Sequence, residues 1–235
     1  MIDNPALYQS IIGSLMYAVI GTRPDLAYTV TMHSQFSSCP TKIHLTAAQR
    51  VLRYLKGTIT WSLFYAKAQP VALNGYSDAS YASDVNDRRS FTGHCFTLGN
   101  ALISWRSHKQ RSVASSTTES EYMALSDASR QMIWLRSALH EIQPGTKLSF
   151  ILHGDNNSSL ALVKNPVFHK RSKHIDVHYH FVRERWEQGL FTLNYISTNE
   201  NVADLFTKGL DKTKHLFFSS SINCTSRGEV LELRT

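Results

Sequence analysis

The apolar residues follow two periodicities, which change over between residues 66 and 70. Up to there they recur at steps of three and four, the spacing of one helical face. Tyr8, Ile11, Ile12, Leu15, Met16 and Val19 make such a face, which stops at Gly21 with Pro24 following. A second periodic stretch runs from Leu26 toward Phe36 and ends before Cys39-Pro40. A third carries Leu45, Ala48, Leu52 and Leu55, with Gly57 as its stop and Arg50, Arg53 and Lys56 on the opposite face. Beyond Pro70 the pattern shortens to strand-like runs at Val71 to Ser77, His94 to Leu98 and Leu102 to Trp105, separated by polar turns. A long helix from Thr117 to about Ile142 follows, closed by Pro144-Gly145. Then come a strand (Lys147 to His153), a short helix (Ser158 to Lys164), a helix (Ile175 to Gln188), a strand (Leu190 to Ile196) and a last helix (Asn201 to Leu210). This succession predicts an α/β layer fold with helices on one mixed sheet, preceded by a small helical segment. The expected divisions are 1–66 helical, 70–212 the α/β domain and 213–235 a poorly structured tail.

The long helix carries the first chemical signal. Its apolar stripe is Leu125, Ala128, Met132, Leu135 and Leu139, and one further step back lands on Glu121. Glu119 is about 200° around the helix from it, on the side of Ser126, Asp127 and Arg130, and is expected to face outward. Ser116, Thr117 or Thr118 can cap the helix, since a hydroxyl accepts from first-turn amides. A carboxylate on the buried face is costly unless something positive meets it. Other acids stand at element ends: Asp78 after the first strand, Asp155 after the fourth and Asp204 on the last helix. Sites in open α/β sheets gather outside the strand ends. Clustered carboxylates take up protons unless a cation neutralises them, and all-oxygen donors favour magnesium or manganese. Two such ions could activate a water and stabilise the leaving oxygen of a phosphodiester. Spacing alone does not select this set, because Asp84, Asp87, Asp127 and Asp176 are also available and lone Asp residues commonly form turns or caps.

Composition narrows the partner. The 235 residues carry a net charge of +7, which favours a polyanion. Arg88, Arg89, Arg106, Lys109 and Arg111 flank the early strands, and Lys170, Arg171 and Lys173 precede the penultimate helix; all can track phosphates. Cys39, Cys95 and Cys224 form no CxxC pair, which argues for a reducing compartment and against a cysteine zinc site. His169, His174, His178 and His180, with Asp176, could hold zinc, but no HExxH occurs and the neighbouring cations would repel a metal. Trp61, Trp105, Trp134 and Trp186 read as core, and Ser115 and Ser116 as caps. No apolar run reaches the roughly 18 residues needed to span a bilayer, and no secretory signal opens the chain. An intracellular location, cytoplasmic or nuclear, with no membrane partner is expected.

Several runs resemble the ribonuclease H domain of copia-type retrotransposon Pol polyproteins. They are Asp78 to Leu125, with Asp87-Arg88-Arg89-Ser90, Ile103-Ser104-Trp105 and Ser116-Thr117-Thr118-Glu119-Ser120-Glu121-Tyr122; Gly154-Asp155-Asn156; Lys173-His174-Ile175-Asp176; Tyr179-His180-Phe181; and Ala203-Asp204-Leu205-Phe206-Thr207-Lys208. Ile12-Gly13-Ser14-Leu15-Met16-Tyr17 and Thr22-Arg23-Pro24-Asp25-Leu26-Ala27 resemble the end of the same elements' reverse transcriptase. The resemblance implies a ribonuclease-H-like mixed five-stranded sheet with flanking helices. It also implies hydrolysis of the RNA strand of RNA–DNA hybrids by two magnesium (or manganese) ions on Asp78, Glu121, Asp155 and Asp204. The upstream reverse transcriptase is an implied partner in a full-length element. The palm-domain aspartates of a polymerase are absent from this sequence, so no primer extension is expected. The His-containing loop that some cellular ribonucleases H carry before the fourth acid has no counterpart in Ser197-Thr198-Asn199-Glu200. The rival expectation is a decayed element fragment that binds nucleic acid without cleaving it.

Overall fold

The computed structural model describes residues 4–65, 72–99, 101–145, 147–165 and 173–226, the side chains of residues 173–179 excepted. It divides into two units: one spans Ala66–Lys208, and the other combines the residues up to Tyr65 with those from Gly209 onward.

The discontinuous unit begins with α1 (Pro5–Gly21), where the Asn4 side chain accepts from the Leu7 N–H at 3.3 Å and Pro5 needs no partner in the first turn. The helix buries Tyr8, Ile12, Leu15 and Val19. A 3-10 turn at Pro24–Leu26 leads into α2 (Ala27–Ser34), and α3 (Lys42–Gly57) follows. The buried face of α3 is centred on Ala48 and Val51, and Leu52 is 38% exposed. The face is therefore rotated from the expected Leu45–Ala48–Leu52–Leu55 stripe. A polar bond accounts for the rotation, as Tyr54 turns inward to donate from its hydroxyl to Asp25 at 2.9 Å. A three-residue strand, β1 (Trp61–Leu63), closes this part.

The second unit is built on β2 (Ala72–Ser80), β3 (Phe91–Leu98), β4 (Ala101–Lys109), α4 (Thr117–Ile142), β5 (Ser149–Gly154), α5 (Asn157–Lys164), α6 (Lys173–Glu187) and β6 (Thr192–Tyr195). The sheet order is β4-β3-β2-β5-β6. The pairs among β4, β3 and β2 are antiparallel, and β5 runs parallel to both β2 and β6. This is the mixed five-stranded sheet with flanking helices expected of a ribonuclease-H-like fold. The expected α4 stripe is the core: Leu125, Ala128, Met132 and Leu135 pack with Leu73, Phe96, Phe150, Leu152 and Leu193 of the sheet and with Val163 and Val182. Trp134 does not join it and is 63% exposed, a correction to the reading of all four tryptophans as core.

Two boundaries also differ. Asp78 does not end its strand, because antiparallel pairing with β3 carries β2 on to Ser80, opposite Phe91. The last helix is only a 3-10 turn, Val202–Phe206. Its tightness follows from tertiary bonds at both ends. Asn201 donates from its side chain to the Ser77 carbonyl at 3.0 Å while accepting from the Ala203 N–H, and the Thr207 hydroxyl donates to Asp78.

The chain then returns to the first unit through α7 (Lys212–Ser221) and β7 (Cys224–Ser226), which pairs antiparallel with β1, Trp61 opposite Ser226. The expected tail from residue 213 is thus structured through residue 226. It is held by a buried ion pair. Arg23 meets Asp25 through two hydrogen bonds of 2.9 and 2.7 Å, with side chains 5% and 0% exposed. The guanidinium also donates to the Thr58 carbonyl and hydroxyl, at 3.1 and 2.7 Å, and lies over the Tyr54 and Trp61 rings. Asp25 in turn receives the Tyr54 hydroxyl and the Cys224 thiol, and its carbonyl lies 3.3 Å from His215 Nε2. The Thr-Arg-Pro-Asp-Leu run is therefore the polar centre on which α3, β1, α7 and β7 converge. Among the described residues no helix is long and apolar enough to cross a membrane.

Removing one partner of such a pair leaves an uncompensated buried charge. Asp25→Asn should cost about 3–5 kcal/mol and accelerate hydrogen exchange at the 224–226 amides. A double replacement, Arg23→Met with Asp25→Leu, should cost less than either single change. Unaltered exchange at residues 224–226 in Asp25→Asn would refute the pair as the lock.

Candidate metal centre

Strand register brings the acids together. In the parallel pair of β2 and β5, Ser77 stands opposite Gly154. Asp78 and Asp155 are the next residues on their chains, so two carboxylates leave the sheet side by side. Glu121 reaches the same place from the first turns of α4, where its carboxylate accepts from the Ala79 N–H. One carboxylate oxygen from each of Asp78, Glu121 and Asp155 lies within 4.8 Å of the others, which makes this the only His/Cys/Asp/Glu group among the described residues able to hold an ion.

Asp204 arrives by a different route. Gly93 is the residue opposite Asp78 on β3. A Cβ there would come within 2.6 Å of Phe206 Cβ and 2.7 Å of Thr207 Cγ2, so glycine lets the 3-10 turn lie against the sheet. The turn carries Asp204 into full burial, and its Oδ1 sits 2.6 Å from Lys208 Nζ. Lys208 Nζ is also 3.8 Å from Asp78 Oδ2. Asp155 Oδ2 accepts from the Thr198 hydroxyl at 2.7 Å.

Burial and the proximity of like charges raise the pKa of two of these acids. Burial pushes the Asp78 carboxyl up to about 7; the charges of Asp204 and Asp155 add to this, while Lys208 and the Thr207 hydroxyl oppose it. Burial likewise raises Glu121, to about 10, reinforced by Asp78 and Asp155 and opposed by the Ala79 N–H and Lys208. Burial disfavours the Lys208 ammonium, but Asp78 and Asp204 outweigh it and hold its pKa above the usual lysine value. The donor set fits a hard divalent cation: three carboxylates within reach of one ion, with no sulfur or imidazole in the group.

Glu119 departs from expectation. It is 7% exposed, and its carboxylate accepts from the Ser115 N–H at 2.8 Å and from the Ser115 hydroxyl. Its own N–H donates to the Ser116 hydroxyl at 3.2 Å, which makes Ser116 the N-cap. A first-turn acid is not obliged to point radially, because unpaired amides lie just before it. The Ser-x-x-Glu run from Ser116 to Glu119 is the sequence signature of a capping box, but the carboxylate reaches one residue further back, to Ser115, and not to the N–H of the N-cap itself.

Of the expected phosphate contacts, Arg88 is exposed in the loop between β2 and β3, at φ 60°, and Arg89 Nε is 3.6 Å from Asp87 Oδ2. Lys109 is engaged by Asp84 and Asp87 at 2.7 and 2.8 Å, and Arg106 lies 3.6 Å from Asp127. Lys170 and Arg171 fall outside the described residues, and Lys173 is described only as the start of α6. His169 is likewise outside them, as are the side chains of His174, Asp176 and His178. Thr198, Thr207 and Lys208 were missed by sequence reasoning. For the last two a signal existed, since they follow Asp204 by three and four residues, about one helical turn.

No family model matches the chain. Its curated relatives include the retrovirus-related Pol polyprotein from transposon TNT 1-94 of Nicotiana tabacum, 43% identical over 88% of this chain and 15% of that protein. The corresponding polyprotein from transposon RE1 of Arabidopsis thaliana is 40% identical over 95% of this chain and 15% of that protein. Among solved structures, the foamy viral protease-reverse transcriptase in complex with RNA/DNA hybrid aligns with a TM-score of 0.54 at 13% identity, over 88% of this chain and 27% of that one, a likeness of fold. The chain spans about 15% of the length of the curated relatives it matches most fully, and it belongs to the retrovirus-related Pol polyproteins of copia-type transposons.

Proposed function

We propose that the sheet unit is a divalent-metal-dependent ribonuclease H, which hydrolyses the RNA strand of RNA–DNA hybrids. The observation that carries this reading is the convergence of Asp78, Glu121 and Asp155 within 4.8 Å, with buried Asp204 and Lys208 beside them. Asp78, Glu121, Asp155 and Asp204 are the proposed ligands of magnesium or manganese. When bound, such ions supply the charge that activates the attacking water and stabilises the leaving oxygen. The chain's own part is to aim the carboxylates. Ala79 fixes Glu121, the Thr198 hydroxyl fixes Asp155, and the Thr207 hydroxyl fixes Asp78. Arg88 and Arg89, in the loop that follows the strand bearing Asp78, are proposed to contact phosphates with Lys170, Arg171 and Lys173. A hybrid exposes 2′-hydroxyls in a wide, shallow minor groove, so recognition is by backbone shape.

Asp78→Asn, Asp155→Asn and Glu121→Gln should each lower the rate on a labelled hybrid by about a thousandfold, equivalent to about 4 kcal/mol of barrier. The fold should be retained by circular dichroism. Glu119→Gln should retain cleavage and lose only about 1 kcal/mol of stability through the weakened cap. Near wild-type cleavage by either Asp variant would remove the assignment. Hybrid binding by the wild type with no hydrolysis in magnesium would leave a binding fragment instead.

The same acids set a pH dependence. A carboxyl whose pKa rises on folding binds its proton more tightly in the native state, so its contribution is complete below the unfolded value and lost as pH rises through the folded one. For Asp78 that window runs from about 3.9 unfolded to about 7 folded; for Glu121 it extends to about 10. In chelator, the melting temperature of the wild type should fall relative to that of Asp78→Asn between pH 5 and 8. Magnesium should restore more stability at pH 8 than at pH 5. A wild-type-minus-variant difference that rises with pH in chelator would contradict the burial of these carboxyls.

A further inference from the structure

Lys208 meets two of the four acids. Its ammonium lies 2.6 Å from Asp204 Oδ1 and 3.8 Å from Asp78 Oδ2. Asp204 has no exposed surface, so this contact neutralises a carboxylate that water cannot reach. The group able to hold an ion contains Asp78, Glu121 and Asp155, but not Asp204. The four acids are thus divided: three face one another, and the fourth faces a lysine supplied by its own turn, four residues on. The Lys208 side chain is 37% exposed, so it has a path to solvent.

We propose that Lys208 is a resident cation on the Asp78–Asp204 side of the site, and that it sets how many divalent ions the protein binds. Without nucleic acid the site takes one ion, on Asp78, Glu121 and Asp155. A second, shared by Asp78 and Asp204, competes with the ammonium for the same oxygens. Like charges a few ångströms apart repel strongly in a partly dry site, so the second ion binds only as Lys208 leaves Asp204. This rests on the reading of the acids as a metal centre. A purely structural ion pair would instead affect folding and leave the ion count unchanged.

The test is titration of the nucleic-acid-free full chain with Mn²⁺, followed by electron paramagnetic resonance and calorimetry. Wild type should bind one ion well before any second. Lys208→Met should bind two, with the second association at least tenfold tighter than in wild type, and Lys208→Arg should keep the wild-type pattern. Lys208→Gln, whose amide can still donate to Asp204 without a charge, should behave like Lys208→Met and serves if the latter fails to fold. Two ions of equal affinity in wild type, or a folded Met or Gln variant with the wild-type isotherm, would overturn the role of Lys208. Those results leave the metal centre standing, provided Asp155→Asn abolishes the first ion. Absence of Mn²⁺ binding in wild type would overturn both readings.

Discussion

Burial of carboxylates gathered at one end of a sheet, reinforced by their mutual repulsion, is the constraint that shapes the second unit. Four acids gather where the pairing of β2 with β5 ends, and two of them have little water to share their charge. The local structure answers with fixed donors. A backbone amide serves Glu121, hydroxyls serve Asp78 and Asp155, and an ammonium serves Asp204. These donors lower the cost of the charged forms without abolishing it, and burial keeps the pKa of Asp78 and of Glu121 raised. That residual deficit is of the kind a divalent cation would relieve. Full internal neutralisation would leave it nothing to bind.

The helical unit meets the same problem with the opposite outcome. Asp25 is as buried as Asp78, yet Arg23 covers both its oxygens in fork geometry, and Tyr54 and Cys224 take the remaining positions. A planar guanidinium saturates a carboxylate, whereas the Lys208 ammonium, 3.8 Å from one oxygen of Asp78, does not. Two buried aspartates in one chain therefore differ in purpose through the shape of their partners.

What could be read in the sequence follows from the range of the forces involved. The limits of α4 were legible because a Ser-x-x-Glu start, an unbroken apolar stripe and a Pro-Gly stop agree over 26 residues. Glu121 and the strand-borne Asp78 and Asp155 were legible from helix phase, position and resemblance together. The errors share a cause. Glu119 was assigned a radial direction, although a side chain in the first turn can fold back onto free amides. The inward turn of α3 at Tyr54 depends on an aspartate 29 residues away. The tightness of the Val202–Phe206 turn depends on Ser77 and Asp78, more than 120 residues distant. A three-residue strand such as β7 is too short for any period to reveal, and only its pairing with β1 defines it.

That pairing has a consequence for how the protein is made. Asp25 and Cys224 are 199 residues apart in sequence, and the whole Ala66–Lys208 unit lies between β1 and β7. The ribosome therefore delivers every strand of the larger sheet before the segment that completes the smaller unit. Local helix–helix contacts among α1, α2 and α3 can form early, but the Arg23–Asp25 centre must wait for its last neighbours. Completing the smaller unit therefore closes a loop that spans the whole intervening chain, a closure whose cost rises only slowly with length.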